Sequence, residues 1–516
     1  MCLNLQRDIQ KILAFPAALL FILLFFSLVS AIPEKLRKIN AGIKAYAAVS
    51  AAGICMYAWQ SFINRTRNAL GPQQTTLILI VLSVAAAALS IIAVFALVSL
   101  LLDHTVYVLK PLLRELSLAE TTVCILITAV LMGYSIYAFS CSEAFWNSGA
   151  SYEVIYTSDS PSMIDPNVFL WLYHPENDLR QPLFAVFSAP LTAPAYLISL
   201  PFSGLSKMIT PLLMNLIQIA LLVLTNLMLT GMLRLERRNR ICFMLITLVT
   251  YPTLLFSVMI EQYIIAYFWL IFTVFSYTNN RKASLIAVSA AGGTLLTSLV
   301  LMPLSYSTET NGKGWRTFLT AMAKSAAGFL TLFFAFGRLD TLISFSKKAG
   351  VLASFAGGGS LNGRINQYLS FITSCFTAPD AANTVIHGYP SWQLTGRNLL
   401  NPDYAGLAIL LLCAVSFFIN RRDKAVRIAG TWVVFSVLLL LIIGWGAPEN
   451  GMILYTLYFG WAFLVLLFRL IEWLAAKTEF GSLTPLATCT ILALLGWLNI
   501  CGIRDLLAFA IAGYPV

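Results

Sequence analysis

Residues 209–259 read ITPLLMNLIQIALLVLTNLMLTGMLRLERRNRICFMLITLVTYPTLLFSVM. Two apolar runs flank Arg234, Arg237, Arg238 and Arg240. Each run is close to the roughly 20 residues an α-helix needs to cross about 30 Å of hydrocarbon. A basic knot between two such runs belongs on the cytoplasmic side. A second knot, Arg421, Arg422, Lys424 and Arg427, stands between two further runs and anchors the topology in the same way.

The pattern fills the chain. Of 516 residues, 59% are hydrophobic and 11% charged, where a soluble domain carries about 25% charged residues. Mean hydropathy is +0.82. These values predict an all-α, polytopic transmembrane protein of about 12–14 membrane segments, with the lipid bilayer as its solvent. The net charge of +11 does not indicate nucleic acid, because Lys and Arg sit in short clusters between apolar runs rather than along one face. Nine cysteines are scattered without a CxxC pair or metal-ligand spacing, so no metal ligand is assigned. Cys141 and Cys375 are the two placed to face an oxidising side. The run 13–32 follows Arg7 and Lys11, precedes Lys35, Arg37 and Lys38, and is too long for a signal-peptide core, so it reads as an uncleaved span.

Working outward from the two basic anchors gives four regions. Residues 1–120 hold N-terminal transmembrane segments near 13–32, 42–63 and 76–102. Residues 121–337 hold a transmembrane core with an outer loop at 141–208. Residues 338–402 form a second outer loop, and 403–516 the C-terminal segments. Within the core, 141–182 carries six acidic residues against Arg180 alone and belongs outside. The proline-rich stretch 183–203 is expected as a pair of short juxtamembrane or re-entrant helices, since a full crossing there would invert the 234–240 cluster. The run 283–305 must cross an even number of times, and Gly292 and Gly293 at its middle predict a hairpin of two short halves. The AGGGSLNGR stretch at 356–364 lacks the strand and the Gly-Lys-Ser/Thr of a phosphate loop and reads as an outer-loop hinge.

Polar residues gather in three outward places: the loop 157–184, the turn at Glu261, and GAPENGMILY at 446–455. An early Asp159, then His174, then Arg180-Gln181-Pro182-Leu183-Phe184 entering apolar helices resembles the first extracellular loop of GT-C glycosyltransferases, a superfamily that includes the protein O-mannosyltransferase-like membrane enzymes. Glu261 with Tyr263, the split run 283–305, and Glu449 with Leu454 and Tyr455 are similar to that superfamily's later pattern. The likeness covers 121–475. The acidic pair often adjacent in such a loop is here spread to Asp159 and Asp165.

The resemblance implies transfer of a hexosyl or pentosyl group from a polyprenyl-phosphate-linked sugar to an acceptor hydroxyl at the outer face, with inversion. It requires a carboxylate to take the acceptor's proton and a cation near the leaving phosphate. Asp159 is the candidate base, with a turn-forming Asp as the plainer alternative. Asp165 is the second catalytic candidate, although Asp165-Pro166 also reads as a helix N-cap with proline in the first turn. His174 and Arg180 are candidates for the donor phosphate, with capping and interfacial roles open to both. Glu261, Glu449 and Tyr455 are candidates for substrate binding or interface marking. Trp171, Trp392 and Trp445 suit sugar stacking or an aromatic belt. No cofactor is required, and a divalent cation is compatible with the chemistry. A bacterial plasma membrane is the expected location, while the Asn64-Arg65-Thr66 sequon keeps a eukaryotic membrane open.

Two other functions fit the same composition. A lipid-linked polysaccharide polymerase or ligase would depend on the basic residues of 338–402: Arg338, Lys347, Lys348, Arg364 and Arg397. A lipid or sugar transporter or flippase would place ionisable residues near mid-membrane in related halves, and the spans here are nearly free of charge at their centres.

Overall fold

The computed structural model describes residues 34–70, 78–147, 154–158, 163–164, 167–171, 179–202, 204, 206–235, 237–279, 285–305, 315–335, 349–350, 353–357, 360–386, 388–395, 403–448, 451–477 and 484–516. The expected span 13–32, and Asp159, Asp165, His174 and Glu449, lie outside them. In chain order the helices are α1 (Ala41–Leu70), α2 (Ile78–Glu115), α3 (Leu118–Cys141), α4 (Phe184–Ser199), α5 (Ile209–Leu233), α6 (Arg237–Val249), α7 (Tyr251–Phe256), α8 (Tyr263–Thr278), α9 (Leu285–Thr294), α10 (Trp315–Ala335) and α11 (Leu361–Ser374). A ribbon of β1 (Ala381–Ile386) and β2 (Tyr389–Leu394) follows, then α12 (Tyr404–Asn420), α13 (Lys424–Ser436), α14 (Thr456–Lys477) and α15 (Thr484–Gly513).

Among the described residues, eight helical stretches are long and apolar enough to cross a membrane, in α1 to α5, α13 with its π-helical continuation to Ile442, α14 and α15. Shorter apolar helices include α8, α9 and α12. The chain is a multi-pass helical membrane protein. The runs read at 121–140, 209–233, 403–419 and 452–474 coincide with α3, α5, α12 and α14 to within a few residues.

The chain forms two compact units, one of residues 1–114, 166–217 and 284–346, the other of 115–165, 218–283 and 347–516. In the first, α1 packs on α4 around Ala47, Ile54, Ala189 and Ala193. Here the structure departs from the expected pair of short helices: 184–199 is one helix, running through Pro190 and Pro194. The physical reason lies in α1. Pro194 has no N–H to bond the carbonyl four residues back, and Ser50 Oγ donates to that Pro190 carbonyl at 3.0 Å instead. Tyr46 donates to the next carbonyl, Leu191 O, at 2.8 Å. The close approach depends on Gly53, where a Cβ would lie 2.7 Å from Ala193 O. Gly53→Ala is therefore expected to destabilise this unit by about 1–3 kcal/mol, the usual cost of overpacking, measured as earlier thermal unfolding in detergent.

The run 283–305 breaks as its glycines suggest. α9 ends at Thr294, a 3₁₀ segment covers Leu296–Ser305, and the chain folds back at Leu295 so that Leu299 lies on Gly292.

In the second unit α12, α13 and α14 pack on one another, with α11 against α12. Gly406 permits that last contact, since a Cβ there would lie 2.1 Å from Leu369 O. The basic clusters are drawn together on this unit. Arg240 pairs with Glu120 at 2.6 Å, Arg469 with Asp423 at 2.9 Å, and Arg234 donates to Thr278 O at 3.4 Å.

The all-α expectation needs one amendment: the stretch 338–402 contains both α11 and the antiparallel ribbon β1–β2. The 356–364 segment is a helix start rather than a hinge. Ser360 Oγ accepts from Gly363 N at 3.1 Å as the N-cap of α11, and Gly357, at φ +86°, donates from its N–H to Ile443 O at 2.9 Å.

Candidate functional site

In the second unit, three segments assigned by sequence to the outer side meet. The stretch 154–158 lies along the ribbon. Trp392 N donates to Val154 O, and Tyr156 N to Trp392 O, both at 2.8 Å. Tyr156 and Thr157 then adopt left-handed backbone, φ +55° and +48°. Such a conformation costs a non-glycine residue about 1–3 kcal/mol and persists only where its surroundings enforce it. What enforces it here is the ribbon together with a buried pair of phenols, Tyr156 and Tyr251, whose oxygens are 2.5 Å apart. Trp392 Nε1 adds a bond to Tyr156 Oη at 3.3 Å. Burial pushes the Tyr156 phenol up to about 12, so it stays protonated at neutral pH. The strained pair directly precedes Ser158 and Asp159 in the chain.

The second segment is the head of α8. Glu261 is fully buried two residues before Tyr263, and its backbone carbonyl accepts from Gln218 Nε2 of α5 at 2.8 Å. The third is the turn 444–455. Gly446, at φ +76°, donates from its N–H to Phe355 O at 2.8 Å, and its open Cα face receives the Tyr455 ring. Trp445 Nε1 donates to Tyr455 Oη at 2.9 Å. Tyr455 meets Tyr263 edge-on, with ring centroids 6.2 Å apart, and Tyr263 lies 5.2 Å from Tyr458. The Thr157 hydroxyl closes the group beside Gly451, where a Cβ would approach it to 3.1 Å. Thr157 Oγ1 and Gln218 Oε1 are buried without a hydrogen-bond partner among the described residues. The result is a buried carboxylate, a wall of tyrosines and unspent polar atoms, the mixture expected of a site that orients a polar ligand over an apolar surface.

In the first unit, the Arg180–Phe184 motif is clamped to the broken run. Leu296 N donates to Arg180 O and Leu183 N to Gly293 O, both at 2.9 Å. Gly293 allows this, since a Cβ would lie 2.8 Å from Leu183 Cβ. Gln181 is buried, and its Oε1 has no partner among the described residues.

The structure thus places Tyr455 against Tyr263, two residues after Glu261, and docks Arg180 on the 285–305 segment. Trp392 and Trp445 are both held in internal contacts, Trp392 against Phe509 and Trp445 near Phe355. Of the late-loop bases, Arg364 donates to the Ile442 carbonyl at 2.7 Å. Cys141 and Cys375 are unbridged, and Cys375 is buried. Among the described residues no group of three His, Cys, Asp or Glu side chains is placed to hold a metal.

Sequence reading passed over Gln218, Thr157 and the Tyr156–Tyr251 pair. Gln218 carried a signal: with Asn215 it puts two amides three residues apart inside an otherwise apolar span, where polar groups are costly and tend to be functional. The tyrosines carried none, because their pairing joins positions 95 residues apart. No protein-family model matches the chain, and neither a curated protein nor a solved structure matches it.

Proposed function

We propose that the chain is a membrane glycosyltransferase of the GT-C type, with 12–14 membrane segments, in a bacterial plasma membrane. It moves a sugar from a polyprenyl-phosphate donor to an acceptor hydroxyl at the outer face, with inversion. The observation that supports this best is the meeting of the strained stretch leading into Asp159, the buried Glu261 and the Tyr455 turn within one compact unit. In this reading Asp159 takes the proton from the acceptor hydroxyl while its oxygen attacks the anomeric carbon. The bond to phosphate breaks, and polyprenyl phosphate leaves. Arg180 and His174 are assigned to the donor phosphate, Arg180 through its planar donor fork, and Asp165 is assigned as the second catalytic carboxylate. Glu261, Glu449 and Tyr455 orient the sugar.

The test is release of polyprenyl phosphate by the full chain in lipid, offered polyprenyl-phosphate sugars singly with pooled acceptors. Release is expected with at least one donor. Transbilayer movement of the donor without release would instead favour a flippase. Glu261→Gln keeps the shape of the side chain and removes its capacity to ionise. It is expected to slow release about tenfold to a hundredfold, the scale of a small misplacement in a positioned substrate, with the melting temperature unchanged.

A further inference from the structure

Helix α11 has two unlike faces. Tyr368, Leu369 and Ile372 are buried in the packing of the unit. Asn366, Gln367, Ser370, Thr373 and Ser374, spaced three and four apart, form a polar stripe on another side. A polar stripe on a helix usually meets water at a surface. This one forms the wall of a cavity of about 190 Å³, closed on the far side by Asp380, Thr395 and Asp403 and by the apolar Leu394, Met452 and Ile453.

The hydrogen bonding of that wall defines what it can take. Ser374 and Thr373 give their protons to Ser370 O at 2.7 Å and Leu369 O at 3.3 Å, and Thr395 gives its own to Asp380 O at 3.1 Å. These oxygens keep lone pairs for a ligand. Asp380 and Asp403 line the same space, Asp403 with one oxygen held by Gly406 N at 3.1 Å as the N-cap of α12. Asn366 is 8% exposed and lines the cavity, where its amide offers two donors and an acceptor to an occupant. Among the described lining residues there is no Lys or Arg, so no cationic side chain of the lining favours an anion. Its surplus of acceptors suits a ligand rich in O–H donors, and Phe371 and Met452 offer apolar surface to a C–H face. The space is enough for one sugar-sized ring.

We infer that this cavity binds a single sugar ring. Met452 and Ile453 belong to the turn that ends in Tyr455, so the ring is the terminal sugar of the acceptor. That last assignment rests on the transferase reading, whereas binding of a sugar ring does not.

The test uses the full chain in lipid nanodiscs and the methyl glycosides of the common hexoses and pentoses, each titrated singly by calorimetry or followed by saturation-transfer NMR. At least one glycoside is expected to bind. Its affinity should fall tenfold or more in Asn366→Leu, a change of similar volume, and be lost in Ser370→Trp, which fills the space without removing Asn366. Melting temperature checks that each variant is folded, and Ser370→Ala replaces Ser370→Trp if the larger side chain is not tolerated, with a weakening of binding then expected. Absence of binding by every glycoside, or equal binding by wild type and the folded variants, overturns the inference. Binding that behaves as expected, in a protein that releases polyprenyl phosphate from no donor, upholds the sugar cavity and removes the transferase reading. Release without glycoside binding does the reverse.

Discussion

Asp159→Asn is expected to reduce polyprenyl-phosphate release at least about a hundredfold, the lower range for loss of a general base, while leaving donor binding within about a factor of three. The substitution is nearly isosteric and removes only the capacity to accept a proton. The backbone that precedes Asp159 is what aims it. Tyr156 and Thr157 hold an unfavourable conformation that ribbon hydrogen bonds and a buried phenol pair impose, and folded proteins sustain such strain mainly where a following group must be aimed. A drop in turnover with unchanged donor affinity is the signature of an interaction made only in the transition state. Equal turnover by wild type and variant would remove Asp159 from the mechanism. Tyr156→Phe in the same assay is a control for scaffold damage, because it removes the phenolic contact and leaves the carboxylate.

Glu120→Ala is expected to be the most destabilising single change among the described polar residues, by about 3–5 kcal/mol, the usual result of orphaning one member of a buried ion pair. Glu120 has no exposed surface and lies 2.6 Å from Arg240 Nε. It also closes a capping box at the head of α3: its Oε2 accepts from Ser117 N and Oγ at 2.8 and 2.7 Å, and its own N–H donates to Ser117 Oγ at 3.3 Å. The truncation therefore unties the start of α3 from α6 and leaves a guanidinium without its counter-charge. Glu120→Leu combined with Arg240→Met should recover most of the loss, since paired apolar replacements avoid the desolvation cost. Thermal unfolding in detergent of the two singles and the double closes the cycle. A Glu120→Ala variant that melts with the wild type would show the pair to be energetically idle.

What the sequence disclosed, and what it withheld, follows from the range of the forces involved. The apolar runs now seen as helices α3, α5, α12 and α14 were legible because membrane insertion is decided locally, by about 20 apolar residues bounded by charge. The break near Gly292 and Gly293 was legible for a similar reason, since two glycines in mid-run mark a bend. The single helix at 184–199 was not, because its continuity depends on Ser50 Oγ reaching the Pro190 carbonyl from 140 residues away. The ribbon was a signal overlooked: Thr384-Val385-Ile386 and Tyr389 to Trp392 flank a two-residue turn ending in Gly388, at φ +85°, a familiar hairpin pattern. In the candidate site, Glu261, Tyr455 and Arg180 were chosen for their chemistry at predicted membrane boundaries. Their partners Gln218, Thr157 and Gly293 were not, because a neutral side chain or a glycine shows its use only once the neighbour is known.

The bond between Trp392 and Tyr156 joins positions 236 residues apart, and this sets an order of events during biosynthesis. At roughly 5–20 residues per second of elongation, the stretch 154–158 waits about 12–47 s for the ribbon that fixes it. During that interval α3 and α5 can already be inserted and Tyr156 can meet Tyr251, 95 residues on, but the ribbon hydrogen bonds that complete the left-handed turn are still missing. The nascent protein is therefore membrane-integrated well before this turn is complete, and a ribosome stalled between α10 and β2 would leave residues 154–158 without their ribbon partner.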